Sequence, residues 1–163
     1  WKGIQDVIKA ISIHDLRGYY EFDIYGVGPY KGQLIDLIHK NDLNDIVTFK
    51  GTANYVEDIL PDYDIYCQMS NGEAFGLSLF EAMMCGLPSI VYDYPPFDTL
   101  VPSNVVKKVK NKSIQELKNA LLAFMNQTER STFGQNARQY VIDNFSVEKM
   151  SANYYNLMNG INE

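Results

Sequence analysis

Short strand-patterned runs alternate with helix-patterned runs along the chain, and few folds accept that order. Ile4, Val7, Ile8 and Ile11 recur at i, i+3, i+4 and i+7, the spacing of one helix face. A strand pattern follows at 20–26 (YEFDIYG), then a helix over 30–40 carrying Leu34, Leu37 and Ile38. Next come a strand at 46–51, a short helix at 56–63 broken by Pro61, and a strand at 64–70. A helix over 76–86 stops at Gly86 with Pro88 beyond it, and strands are expected at 88–93 and, more weakly, 105–109. Ser113 and Glu116 have capping-box spacing ahead of Ile114, Leu117 and Leu121. Phe133, Ala137, Tyr140 and Val141 carry another helix, and a last one is expected over 147–159. This order predicts a parallel sheet with helices on both faces, in one domain over 1–163. A composition that is 46% hydrophobic suffices for its core. Ligands of such sheets bind outside the carboxyl ends of the strands, here the loops at 26–30, 50–55, 70–76 and 93–104.

A net charge of −6 argues against nucleic acid as a partner, because a phosphate backbone needs a basic stripe. The short cluster Lys107, Lys108, Lys110 and Lys112 reads as a solvated strand edge, with an anionic membrane surface as the alternative. No apolar run is long enough to span a bilayer, and no signal peptide is expected. Cys67 and Cys85 sit in apolar surroundings without metal-ligand spacing, so reduced core thiols and a cytoplasmic location are expected. His14 and His39 read as surface residues rather than metal ligands. Tyr154 and Tyr155 read as packing residues of the last helix.

The stretch GEAFGLSLFEAMMCGLP (72–88) carries two carboxylates, Glu73 and Glu81, in an otherwise apolar run. Leu77, Leu79, Phe80, Ala82, Met83, Met84 and Cys85 cover every face of the helix, which predicts burial all round. A buried Glu81 then needs a partner. That partner is either a group of the protein or a pair of ligand hydroxyls, which a carboxylate accepts from together. Gly72 and Gly76 permit unusual backbone angles, and the free N–H groups of Phe75, Gly76 and Leu77 make an anion site at the helix start. Glu81 lies roughly 6–8 Å further along the axis at about 1.5 Å per residue. A phosphate at the helix start therefore leaves sugar hydroxyls within its reach. Glu73, ahead of the helix, would face the other side of the phosphate, or merely complement the helix dipole.

These residues resemble a family. SNGEAFGLSLFEAMMCGLPSIVYD is similar to the Glu-x(7)-Glu region of the retaining nucleotide-sugar glycosyltransferases of family 4, the glycosyl transferases group 1. Other pieces follow in the family's order: Lys2-Gly3, DIYGVGPYKGQL, VTFKGTANYVEDILPDYDIYCQMS and NFSVEKMSANYYNLM. The resemblance implies half of a GT-B enzyme: a Rossmann-like, three-layer donor-binding domain, from a longer protein with an amino-terminal acceptor domain. Lys2 would contact the donor diphosphate. Gly28 would lie beside the nucleotide, and the turn at Lys50 and Gly51 would face the base. Glu73 would be the catalytic contact to the transferred sugar, the Phe75, Gly76 and Leu77 amides would bind sugar and diphosphate, and Glu81 would hold the ribose. The implied reaction moves a sugar from a nucleoside diphosphate (NDP) to an acceptor hydroxyl with retention, without a metal or other cofactor. Polysaccharide, lipopolysaccharide or glycolipid synthesis is the implied setting, with a lipid-linked acceptor or peripheral attachment at the inner membrane face. The chain departs from the pattern at Ala74, where the family has Gly, and at YPPFDTLVPSNVV (94–106), where it has Gly-Gly. The isolated chain is expected to bind nucleotide weakly and transfer no sugar.

Other function classes fit less well. A non-catalytic α/β nucleotide-binding or signalling module would not need Lys2, Glu73 and Glu81 to converge. A glycoside hydrolase needs its two carboxylates across a glycosidic bond. A dinucleotide oxidoreductase needs a third glycine that GVGP lacks.

Overall fold

The computed structural model describes residues 1–160. Its helices are α1 (Ile4–Ile11), α2 (Lys31–Lys40), α3 (Leu77–Met84), α4 (Phe97–Leu100), α5 (Ile114–Ala123), α6 (Gln127–Phe145) and α7 (Val147–Met158). Its strands are β1 (Phe22–Tyr25), β2 (Val47–Gly51), β3 (Tyr66–Gln68), β4 (Ser89–Tyr92) and β5 (Lys107–Val109). All strand pairs are parallel: β1 with β2, and β3 with β4 and β5 in that order. Among the described residues no ladder joins β1 to β3, so the sheet is in two hydrogen-bonded pieces.

Both pieces share one core. Val7, Ile8, Ile11, Leu34, Ile38, Leu117 and Leu121 bring α1, α2 and α5 onto Ile24, Val47, Ile90 and Tyr92. A second cluster lies on the other side of β4, where Leu79, Phe80, Met83, Ala137 and Val141 from α3 and α6 meet Val91 and Phe97. Alternate residues of β4 thus face opposite layers, and the strand is buried throughout, as a central strand covered on both faces must be. The result is the expected three-layer α/β domain.

Local chemistry accounts for most boundaries. Ser113, Asn126 and Ser146 each accept from the N–H three residues on, capping α5, α6 and α7. The capping box at α5 is only half made. Glu116 accepts from the Lys110 N–H at 2.7 Å, because the Ser113 N–H already bonds the Lys110 carbonyl. The short helix expected over 56–63 is two 3₁₀ turns, Val56–Asp58 and Leu60–Asp62, with Pro61 early in the second. The loop at 93–104 contains the unexpected one-turn helix α4, which buries Phe97.

Two expectations of burial fail. Helix α3 is not covered all round, since Leu77 is 68% and Met84 42% exposed. Its outward residues Leu77, Glu81 and Met84 border a groove against α6 and α7 rather than a packed layer. Tyr154 and Tyr155 are also exposed, because α7 contributes no buried residue.

Helix α6 crosses the end of α3 at a glycine pair. A Cβ added to Gly134 would lie 2.1 Å from the Gly86 carbonyl oxygen. Gly134→Ala is therefore expected to lower stability by about 2 kcal/mol in urea unfolding. The gain of roughly 1 kcal/mol from alanine in a helix does not offset backbone overlap.

Candidate functional site

The amino-terminal arm lies against the turn that follows β3. The Asn71 N–H bonds the Trp1 carbonyl at 2.9 Å, and Gly3, at φ +67°, caps α1 against Met69. This placement brings Lys2 Nζ to 2.6 Å from Glu73 Oε1, although 71 residues separate them. The Lys2 side chain is 59% exposed and that of Glu73 only 14%. An ion pair so open on one side contributes little to stability, and its lysine is free to move.

Gln68 Nε2 also donates to Glu73 Oε1, at 3.2 Å. Burial pushes the Glu73 carboxyl up, but the Lys2 ammonium, Ser70 and Gln68 together outweigh it and hold the carboxyl below its ordinary value of 4.5. The Ser70 hydroxyl beside it is buried without a well-aligned hydrogen-bond partner. The folded value lies below the unfolded one, so Glu73's contribution to stability is complete above pH 4.5 and is lost as pH falls through the lowered value. A carboxyl-carbon NMR titration should place its midpoint below 4.5.

Helix α3 begins without a side-chain cap and without an acidic residue in its first turn. Gly76 holds φ +87° at the N-cap, and among the described residues no acceptor takes the N–H of Phe75, Gly76 or Leu77. The Phe75 ring stacks on Phe80 at 4.6 Å and meets Phe145 at 5.7 Å, so its main-chain N–H is what it offers a ligand. Phe97 closes Gly76 from below, since an added Cβ there would lie 2.5 Å from the Phe97 ring. The segment that departs from the family pattern thus seats the start of α3. An unpaired helix N-terminus of this kind attracts an anion.

Glu81 is exposed on the outward face of α3, and no hydrogen bond or ion pair engages it among the described residues. The buried Glu81 read from the sequence is therefore corrected. The apolar run conceals that α3 leaves one face open. Of the two partners considered, the protein supplies none.

The end of β1 is tied to the end of β2 by the Gly26 N–H, which bonds the Gly51 carbonyl at 2.6 Å. Gly28 stands exposed in the loop between β1 and α2. Lys50 Nζ lies 3.3 Å from Asp23 Oδ2, which also accepts from Tyr63 Oη at 2.6 Å. Burial, then the Asp23 carboxylate, keeps the Tyr63 hydroxyl protonated.

A slot of about 840 Å³ runs between β1 and β3 and brings Lys2, Gly28 and Glu81 to one cavity. Its walls also include Tyr25, Tyr63, Gln68 and Ser70, and do not include Glu73, Lys50, Gly51, Phe75, Gly76 or Leu77. Phe75 and Leu77 instead join Glu81 along the groove of about 900 Å³ between α3, α6 and α7. Glu81 borders both. Among the described residues no three His, Cys, Asp or Glu side chains converge to hold a metal, and no helix is long and apolar enough to cross a membrane.

Two residues of the site escaped sequence reasoning. Gln68 was visible as a polar residue in an apolar strand. Phe97 was visible only as an apolar residue after Pro95-Pro96. Elsewhere two lysines of the cluster are paired, while Lys110 and Lys112 are exposed. Lys107 meets Glu129 at 2.5 Å and lies over the Phe124 and Phe133 rings, while Lys108 donates to the Asp98 carbonyl at 2.6 Å. Burial pushes the Cys67 thiol up to about 12, and both cysteines are unpaired.

The chain is similar to poly(ribitol-phosphate) alpha-N-acetylglucosaminyltransferase of Staphylococcus aureus, 28% identical over 142 residues, covering 85% of this chain and 29% of that one. It is similar to N-acetyl-alpha-D-glucosaminyl L-malate synthase of Bacillus anthracis, 28% identical over 162 residues, covering 94% and 41%. Over 95 residues it is 37% identical to the GtfA subunit of UDP-N-acetylglucosamine–peptide N-acetylglucosaminyltransferase of Streptococcus pneumoniae, covering 58% and 19%. The chain thus spans less than half the length of each. Its fold matches a crystal structure of S. aureus TarM with Fondaparinux, alpha-GlcNAc-glycerol and UDP, with a TM-score of 0.86, 26% identity, and coverage of 97% of this chain and 33% of that one. It also matches Anabaena Alr3699/HepE in complex with UDP, with a TM-score of 0.89, 20% identity, and coverage of 98% and 46%. The family described as Glycosyl transferases group 1 matches residues 1–140, and this chain belongs to it.

Proposed function

We propose that the chain is the donor-binding half of a retaining, family 4 glycosyltransferase and that it takes a UDP-sugar. One observation carries the reading: the uncapped start of α3 stands between a fixed carboxylate, Glu73, and a free one, Glu81. The diphosphate sits on the Phe75, Gly76 and Leu77 amides and on Lys2. Glu81 accepts from the ribose hydroxyls, and Glu73 faces the transferred sugar. The Gly28 loop and the turn at Lys50 and Gly51 enclose the nucleoside. As the bond to the leaving diphosphate breaks, the helix dipole and the Lys2 ammonium take up its charge without a metal. UDP in the TarM complex and the N-acetylglucosaminyltransferase names of the relatives support uridine and N-acetylglucosamine.

Acceptor binding belongs to an amino-terminal domain of the same protein. The exposed Val147, Met150, Tyr154 and Leu157 of α7 supply an apolar face for it. The whole enzyme then works in the cytoplasm, on polysaccharide or lipid-linked acceptors at the inner membrane face.

Calorimetry with UDP, GDP, ADP and UDP-N-acetylglucosamine tests the donor site. The chain should bind UDP weakly but more tightly than GDP or ADP, with the same affinity in EDTA, and should transfer no sugar alone. Failure to bind any of the four would refute the reading.

A further inference from the structure

Gln68 ends β3 and is 7% exposed. A buried primary amide in a parallel sheet is unfavourable unless its polar atoms are bonded. Here both ends are. Nε2 donates to Glu73 Oε1 at 3.2 Å, and Oε1 accepts from Tyr66 Oη at 3.0 Å. Burial keeps that tyrosine hydroxyl protonated. An ionised Glu73 only accepts, so the amide has one orientation, with its NH₂ toward the carboxylate. Tyr66, Gln68 and Glu73 therefore form a directed chain of hydrogen bonds that ends on one carboxylate oxygen.

Lys2 converges on the same oxygen. Glu73 Oε2 takes no hydrogen bond among the described residues. The two donors differ in kind. Lys2 is charged, exposed and flexible, and a diphosphate competes for it. Gln68 is neutral, buried and fixed to a strand.

We propose that Gln68 is the positioning residue of Glu73: it keeps Oε1 in place when a donor diphosphate draws the Lys2 ammonium away, and leaves Oε2 free for the sugar. The diphosphate part rests on the donor-site reading above. The Gln68 anchor itself rests on geometry alone. Without it, a carboxylate that has lost Lys2 would be partly buried with neither donor holding it, and would turn toward solvent or take up a proton.

The test is a carboxyl-carbon NMR titration of Glu73 in the wild-type chain, Lys2→Ala, Gln68→Met and the double variant. Lys2→Ala imitates the departure of the ammonium without any ligand. Each single variant should raise the Glu73 midpoint, and the double should raise it by more than their sum, because only there does the carboxylate lose both donors. Additive shifts, or a Gln68→Met chain that melts lower with its Glu73 midpoint unmoved, would overturn the proposal. Should Gln68→Met fail to fold, Tyr66→Phe decides. It removes the hydroxyl that orients the amide, and it should raise the midpoint by less than loss of the amide would. No shift there overturns the proposal. UDP is then added to the wild-type and Gln68→Met chains, and should move the Glu73 midpoint upward by more in the latter, where no amide takes over from the departed ammonium. A chain that binds no UDP refutes the donor site, while the four ligand-free titrations still decide the role of Gln68.

Discussion

Gly3→Ala should lower stability by about 3 kcal/mol or more, the combined cost of a left-handed alanine and an overpacked contact. It should also detach the arm that carries Lys2. Gly3 holds φ +67°, where a side chain is strained whatever the space around it. Space is also absent, because a Cβ would lie 1.9 Å from the Met69 carbonyl oxygen and 2.6 Å from Met69 Cβ. Backbone meets backbone, so no rotamer change relieves the overlap. The arm must lift away from 69–71, breaking the Trp1–Asn71 bond and pulling Lys2 from Glu73. Urea unfolding measures the first effect, and the Glu73 midpoint, rising as Lys2 withdraws, measures the second. A variant with an unchanged unfolding midpoint would show that the arm does not pack as described.

Glu81→Ala should do the reverse, leaving stability intact while removing most nucleotide affinity. Glu81 is exposed with no protein partner among the described residues, and alanine is at least as good a helix former. Whatever binding is lost is therefore lost from ligand contacts. Hydrogen bonds to a charged acceptor contribute about 1.5–3 kcal/mol, which corresponds to roughly 10- to 150-fold in Kd for UDP. Equal affinity in calorimetry would remove the ribose from Glu81.

The order of elements was legible because periodicity, caps and breakers are local signals. Ser113 marks a helix start directly ahead of the Ile114, Leu117 and Leu121 pattern it begins. The exposed face of α3 was not legible. With apolar residues on all sides, the helix carries no amphipathic signal, and the sides of Leu77 and Met84 are decided by where α6 and α7 pass. The meeting of Lys2 with Glu73 was legible only through the family's motif, since a contact across 71 residues leaves no local trace. The ties of Lys107 and Lys108 to Glu129, two rings and a carbonyl are equally non-local.

The two layers on either side of β4 have a consequence for the site. Lys2 and Gly3 ride on α1, in the cluster that takes Ile90 and Tyr92, whereas α3 rides in the cluster that takes Val91. A single four-residue strand is the partition between them. Lys2 and the amide-bearing start of α3 are thus carried by different layers, and their spacing depends on both packings as well as on the arm's bond to Asn71. A slip of either layer against β4 would detune the grip on a diphosphate while every strand ladder stayed closed. Substitutions deep in either core, far from any ligand, can therefore act on affinity through alignment alone.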